Sequence, residues 1–339
     1  MLKAFILIIL IVSLNIVLFR FNNYISNVLN LIDYPDKKRK LHENPTPLNG
    51  GIFFFLNILF ILSYDYFFNN NLINSYLRFN NEFQIIFFII ICFSLLGIGI
   101  VDDKLSLKPI TKTGLSILLF SLFLLINENY IIDELRFKEL DKVLDLFNIS
   151  FLFTIICFAV LQIAFNMYDG INLQSSSYYS ILFVYIFIIT ENFGLRLFCT
   201  LNLLYLIFFS INNYKKKIFL GDNGVFIFSF IISILIINVY NNNSVLYVEN
   251  ILILFLLPFL DLIRLFLLRL KINRNPFIGD RNHIHHILLE KYSHLISIIL
   301  LNLPLIISVF LIYKTDFGLW LILTVKFISY SFLIKKKYD

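Results

Sequence analysis

Charge is what this sequence has least of. Only 15% of its 339 residues are Asp, Glu, Lys or Arg, and 59% are hydrophobic, whereas a soluble domain is about a quarter charged and about half apolar. That balance, with a positive mean hydropathy, excludes a water-soluble globular protein and leaves a polytopic membrane protein. Cysteine is nearly absent as well. Cys92, Cys157 and Cys199 all fall inside apolar runs at no metal-ligand spacing, which argues against a disulfide framework. The 40 Phe, with abundant Ile, Asn and Lys, read as the imprint of an AT-rich genome and carry no functional signal.

What the chain has instead is apolar runs long enough to span a bilayer, for which about 17–25 residues are needed. About eleven can be placed. They lie near Leu2–Arg20, Leu48–Tyr64, Phe83–Val101, Ile110–Ile126, Ile149–Phe165 and Leu173–Thr190. The others lie near Gly194–Ile211, Phe219–Asn238, Ile251–Leu270, Leu295–Tyr313 and Phe317–Ile334. The first run is too long for a signal-peptide core and no small-residue cleavage site follows it, so it reads as a retained helix. The expected architecture is an all-α polytopic membrane protein, residues 1–339 forming a single integral-membrane domain.

Basic residues alternate between the loops. One set carries Lys37, Lys38, Arg39 and Lys40, then Lys104, Lys108 and Lys112, then Lys215–Lys217, then Lys271, Arg274, Arg281 and Lys291, and finally Lys335–Lys337. The other set is poorer. The positive-inside rule makes the basic set cytoplasmic, with the amino terminus outside and the carboxyl terminus inside.

Every candidate chemical motif falls in that basic set. A charge at membrane depth costs about 2.5–3.5 kcal/mol on insertion scales, so acids at span ends need a purpose. Asp102-Asp103 close the third run and are followed by Lys104, Lys108 and Lys112. Asn166-Met-Tyr-Asp169-Gly170-Ile-Asn172 is a polar turn, and Gly221-Asp222-Asn-Gly224 opens a helix. Each alone has a bland explanation: a solvated helix end, an Asx-rich turn or a dipole-favoured first-turn acid. The first basic loop, with His42 and Pro45-Thr46-Pro47-Leu-Asn49-Gly50-Gly51, would serve as a lipid-headgroup anchor on charge alone. Gly50-Gly51 allow a close backbone approach there. In the last loop, His283-Ile-His285-His286 follow Arg269 and Arg281. Ligands spaced so tightly rarely close a zinc tetrahedron, and the cluster reads better as donors to a pyrophosphate or sugar. Asp261 and Arg264, three apart on one span, are explained by a helix ion pair. Acids gathered at one face point to a divalent metal and an anionic substrate.

The order and spacing of these segments resemble the polyprenyl-phosphate N-acetylhexosamine-1-phosphate transferases (the WecA/MraY-type glycosyltransferase family 4) over nearly the whole chain. The matching pieces are Asp36 to Gly51, then Asp102, Asp103, Leu107 and Lys112, then Asn166, Asp169 and Gly170. Gly221, Asp222 and Gly224 follow, and last Asp280-Arg281-x-His283-x-His285-His286. The His-x-His-His pattern resembles the branch that uses plain UDP-HexNAc, and the Pro-x-His-His-His element of the muramoyl-pentapeptide branch is absent. Two positions depart from the pattern. Asn172 stands where a second acid is common, followed by Leu173 and Gln174 rather than Gly, and Ile163 replaces a frequent Asn.

The resemblance implies transfer of HexNAc-1-phosphate, with GlcNAc the expected sugar, from UDP-HexNAc to polyprenyl (undecaprenyl) phosphate with release of UMP. It implies Mg2+ (or Mn2+) on Asp222 and Asn166, and Asp102, Asp103 and Asp222 as the catalytic acids. Substrate contacts are implied for Lys112, Asp169, Asn172, Arg269, Arg281, His283, His285, His286, His42, Asn49 and Gly50. The implied setting is the bacterial plasma membrane and the start of lipid-linked glycan synthesis, with no nucleic-acid partner and a homodimer left open. A transporter of lipid-linked or nucleotide sugars would explain the spans equally well. It would also predict inverted repeats and a polar path through both faces, and the sequence shows neither.

Overall fold

Apolar runs interrupted by short polar loops can satisfy their backbone inside lipid only as helices, and helices are what forms. The computed structural model describes residues 2–35, 44–68, 77–242, 246–273, 282–314 and 318–335. The helices are α1 (Leu2–Arg20), α2 (Asn22–Leu29), α3 (Gly50–Phe67), α4 (Glu82–Leu105), α5 (Pro109–Ile126), α6 (Ser150–Tyr168) and α7 (Gln174–Ile189). They continue with α8 (Phe193–Tyr214), α9 (Gly221–Asn242), α10 (Val248–Lys271), α11 (Ile284–Leu289), α12 (His294–Lys314) and α13 (Leu319–Lys335). Among the described residues, nine helices are long and apolar enough to cross a membrane. Two further apolar helices, Gln174–Ile189 and Leu319–Ser331, are shorter. The protein is an all-α, multi-pass membrane protein.

The boundaries read from hydropathy fall short by up to a turn where acids or amides close a run. α4 continues through Asp102 and Asp103 to Leu105, and α6 continues through Asn166 to Tyr168. Charge does not stop a helix whose last turn leaves the apolar core. α4 stops because Ser106 turns left-handed (φ 50) and its N–H closes on the Asp102 carbonyl.

The chain forms two compact units, each discontinuous in sequence. The first comprises Met1–Tyr130 and Phe183–Asn238, the second Ile131–Leu182 and Val239–Asp339. In the first unit α1 packs on α3 and α8, and α4 packs on α3 and α5. All of the apolar window of α9 is buried, against 22% for α1 and α5, so α9 is the helix with no face left for lipid. A helix that is apolar all round belongs in such a position. Phe228 of α9 stacks on Phe54 (3.6 Å between centroids), and Phe230 meets Phe88, Phe120 and Phe123. Inside the spans, the Asn15 and Asn57 amides exchange hydrogen bonds at 2.8 and 3.1 Å. A two-residue ribbon, β1 (Ile32–Asp33) with β2 (Thr46–Pro47), joins the α2 exit to the α3 entry. The Asn22 side chain, after α1, donates to the Lys217 carbonyl, after α8, at 2.9 Å.

In the second unit α10 packs on α6, α12 and α13. An antiparallel hairpin, β3 (Glu134–Phe137) and β4 (Lys142–Asp145), precedes α6; its four-residue strands are too short to show in the hydropathy pattern. The hairpin is tied to the start of α10, where Glu249 accepts the Lys138 and Glu139 N–H groups, and to the start of α13, where Glu139 accepts from Leu319.

Candidate active site

In the first unit, three acids and a lysine converge at the start of α9. Lys112, in the first turn of α5, places its ammonium 2.7 Å from Asp102 Oδ2 and 3.9 Å from Asp222 Oδ2. Asp102 is buried, and its other oxygen accepts the Leu107 N–H at 2.8 Å. Asp103 does something different. Its carboxylate accepts the N–H groups of Asp222 (2.8 Å) and Asn223 (3.2 Å) and the Asn223 side-chain amide (2.5 Å). Those are first-turn N–H groups of α9, which have no intrahelical partner. Asp103 is thus an N-cap supplied by another helix, and its charge complements the positive end of the dipole.

Glycine makes this convergence possible. A Cβ on Gly51 would collide with Asn223 Oδ1, and one on Gly99 would collide with Asn223 Cα. α3, α4 and α9 therefore touch backbone to backbone around Asn223. The Asn223 amide also donates to the Leu48 carbonyl at 2.8 Å. In the sequence Asn223 is an unspecified position between two glycines; those glycines were the available signal. Gly50 packs against Leu220, with its N–H on the Phe219 carbonyl. Asn49 is buried and donates to the backbone and side-chain oxygens of Asn22, both at 2.9 Å. The close approach expected of Gly50-Gly51 is present, and both Asn49 and Gly50 are held within the first unit's packing.

The acid cluster suits a hard divalent cation chemically. Three carboxylates face one ammonium, which leaves surplus negative charge on oxygen donors. The Asp222 side chain is 30% exposed against 3% for Asp102, so Asp222 is the accessible member. Among the described residues, no three His, Cys, Asp or Glu side chains are grouped to hold a metal by themselves. Mg2+ requires fewer, because it keeps waters and substrate phosphates in its shell. Asn166, its other expected ligand, belongs to the second unit, in the last turn of α6.

The second unit holds the histidines, and one carboxylate organises them. Asp261 Oδ1 accepts from Arg264 (2.7 Å), the Ile284 N–H (3.2 Å) and the Tyr330 hydroxyl (3.1 Å), while Oδ2 meets His283 Nδ1 at 3.2 Å. The helix pair expected for Asp261 and Arg264 is present, but it is not the whole account. Asp261 seats the start of α11, and Arg264 adds a bond to the Asn282 carbonyl at 2.5 Å. With the carboxylate at Nδ1, a neutral His283 carries its proton there and offers Nε2. The His283 and His285 rings lie nearly parallel, 5.2 Å apart, and the His286 ring stands 4.4 Å from His285. Burial, then the neighbouring His286 and His283, push the His285 imidazole well below its ordinary value, so it is neutral at pH 7.

Gly170 leaves room for that ring: a Cβ there would collide with His285 Nε2. The turn carrying Asp169, Gly170 and Asn172 is thus brought against the histidines. Asp169 ends α6, and burial pushes its carboxyl up to about 6 against the lowering effect of the Ser175 hydroxyl. Leu173, one of the departures from the family pattern, sits at φ +68, a conformation that a branched side chain adopts only under strain. Gln174 beside it is fully buried. Arg269 is buried in the last turn of α10. His42 and Arg281 lie outside the described residues, as does Asp280.

The class is therefore an all-helical, multi-pass membrane protein with acids and a lysine gathered at a helix start in one unit and a carboxylate-seated histidine cluster in the other. Residues 84–240 match glycosyl transferase family 4, a stretch that includes Asp102, Asp103, Lys112, Asn166, Asp169 and Asp222. The chain is also similar to the undecaprenyl-phosphate alpha-N-acetylglucosaminyl 1-phosphate transferase of Pasteurella multocida (strain Pm70). The two are 27% identical over 277 residues, which cover 78% of this chain and 73% of the relative. The chain is thus similar to glycosyl transferase family 4 over a little under half of its length.

Proposed function

We propose that this protein transfers HexNAc-1-phosphate, with GlcNAc the favoured sugar, from UDP-HexNAc to polyprenyl phosphate in the bacterial plasma membrane, starting a lipid-linked glycan. The observation that carries this reading is Lys112, held between Asp102 and Asp222 at the start of α9. In the reaction an oxygen of the lipid phosphate attacks the β-phosphorus. The bond from that phosphorus to the bridging oxygen breaks, and UMP leaves with the electron pair. Two anions must meet, so the protein's task is to position them and offset their charge.

Lys112 supplies a fixed positive charge beside the start of α9, whose first-turn N–H groups are held by Asp103. Asp102, buried and paired, orients the lipid phosphate through Lys112. Asp103 keeps the start of α9 in register. Asp222 would hold Mg2+ or Mn2+, which when bound supplies Lewis-acid neutralisation of the pyrophosphate. In the second unit Arg269, Arg281 and the three histidines serve the sugar-phosphate, and Asp169 with Asn172 serves the nucleotide.

The test is an assay of purified protein in lipid, with labelled UDP-GlcNAc or UDP-GalNAc and undecaprenyl phosphate. Lipid-linked label and UMP should appear in equal amounts with one of the two sugars. Failure to form lipid product with either, from folded protein supplied with Mg2+, would refute the reading.

A further inference from the structure

One side of α2 buries the polar Asn22 and Ser26, one turn apart, while Tyr24, Val28 and the preceding Phe21 form an apolar strip that is 68%, 62% and 51% exposed, beside the exposed Asn23 and Asn27. The buried side is fully employed. Asn22 donates to the Lys217 carbonyl and accepts from Asn49, and Ser26 donates to the Asn23 carbonyl. Apolar area left in water forgoes about 25 cal/mol per Å2, so this exposure is favourable only where the outer medium is hydrocarbon. α2 follows α1 after a single residue, at the Arg20 end. It therefore starts at the membrane surface.

The turn to which α2 is bonded carries the second half of the surface. Lys215, Lys216 and Lys217 are consecutive and all exposed. Their backbone is fixed: Lys216 N–H bonds the Asn213 carbonyl, and Lys217 N–H bonds the Asn212 carbonyl. The nearest acids in the flanking sequence are Asp33 and Asp222, and among the described residues Lys215, Lys216 and Lys217 make no ion pair. A row of apolar side chains beside uncompensated ammonium groups matches one kind of neighbour, a lipid with acyl chains below and an anionic headgroup above.

We propose that α2 and Lys215–Lys217 form a binding surface for anionic phospholipid of the leaflet bounding the basic face. Acyl chains pack on Phe21, Tyr24 and Val28, and the headgroup phosphate is held by the lysines. The surface does not depend on the reaction assigned to the acid cluster.

The chain has one tryptophan, Trp320, which makes a local reporter simple to build. In W320F/Y24W protein reconstituted in phosphatidylcholine vesicles, fluorescence of the introduced indole is quenched by brominated phosphatidylglycerol or brominated phosphatidylcholine at equal mole fraction. No polyprenyl phosphate is present, so the readout concerns bulk phospholipid alone. Each lysine near an anionic surface contributes about 1 kcal/mol, so phosphatidylglycerol should quench at least about twofold more strongly. The variant K215Q/K216Q/K217Q in the same background should quench equally with both lipids. Salt near 1 M should erase the preference in the lysine-intact protein, since screening then acts within about 3 Å. Equal quenching by the two lipids with the lysines present would overturn the proposal, and so would an indole at position 24 that neither lipid quenches.

Discussion

The two units build their chemical clusters by opposite means. In the first, main chain does the positioning: Gly51 and Gly99 bring three helices against Asn223, and the α9 N–H groups fix Asp103. In the second, side chains do it: Asp261 gathers Arg264, His283 and Tyr330 around one carboxylate and takes a single N–H from α11. A cluster set by backbone contact tolerates little added volume. A cluster set by one carboxylate tolerates volume but not the loss of that charge. The contrast suits the proposed chemistry, in which phosphoryl transfer needs fixed charge and sugar recognition needs a shaped set of donors.

The sharpest way to break the comparison is Asp222→Ala. It removes the accessible acid while leaving Asp103 its N–H partners, so turnover should fall to background with the helical content unchanged. Chelation of the wild-type protein should do the same, with recovery on adding Mg2+ or Mn2+, followed as lipid-linked product. Full activity in chelator would remove the metal from the account.

Asp261→Asn should come next. It leaves Arg264 facing a neutral group in a buried setting, where breaking one side of an ion pair costs about 3–5 kcal/mol. Thermal stability should drop, and KM for the sugar nucleotide should rise more than kcat falls. A variant with unchanged KM would mean that the histidines do not meet the donor substrate.

Gly99→Ala against Gly97→Ala sharpens the volume side of the contrast within one helix. A Cβ on Gly99 collides with Asn223, whereas one on Gly97 meets nothing within 4 Å. The first should cost about 1–3 kcal/mol through overpacking and impair activity. The second should be neutral or stabilising by up to about 1 kcal/mol through helix propensity. Denaturation in mild detergent with a parallel rate assay separates the two outcomes.

The smallest effect concerns Asp169, whose folded carboxyl is raised to about 6. A raised acid is penalised in its charged form, so the penalty is fully present above pH 6. It fades as pH falls through that value towards the unfolded range. Asp169→Asn should therefore raise thermal stability at pH 7.5 and do so less at pH 5, whatever it does to activity. An equal gain at both pH values would show that the carboxylate is not penalised in the folded protein.

Much of the fold was legible because lipid demands what hydropathy records. The first run, Leu2–Arg20, coincides with its helix to the residue. The ends of α4 and α6 do not, since Asp102, Asp103 and Asn166 look like loop residues although they occupy final helical turns. The acids of the site were visible as charges with no reason to be there. Their division of labour was not, because Asp103 finds its partner 119 residues away. Asp261 was undervalued for the reverse reason: a local helix pair with Arg264 explained it well enough to hide the contacts made to Ile284 and Tyr330. Asn223 was hidden by being neutral.

The distance between Asp103 and its partner has a consequence in time as well as in space. Residues 131–182, which belong to the second unit, are synthesised between the two halves of the first. At about 5–20 residues per second, Asp103 enters the membrane surface roughly 6–24 s before Asp222 exists to receive it. For that interval the first unit lacks α9, and the acids at the end of α4 stand exposed with only Lys112 to meet them. The nascent chain therefore passes through a stage whose half-built centre must be tolerated by the insertion machinery. The last helix of the first unit to emerge is also the one that brings Asp103 its N–H partners.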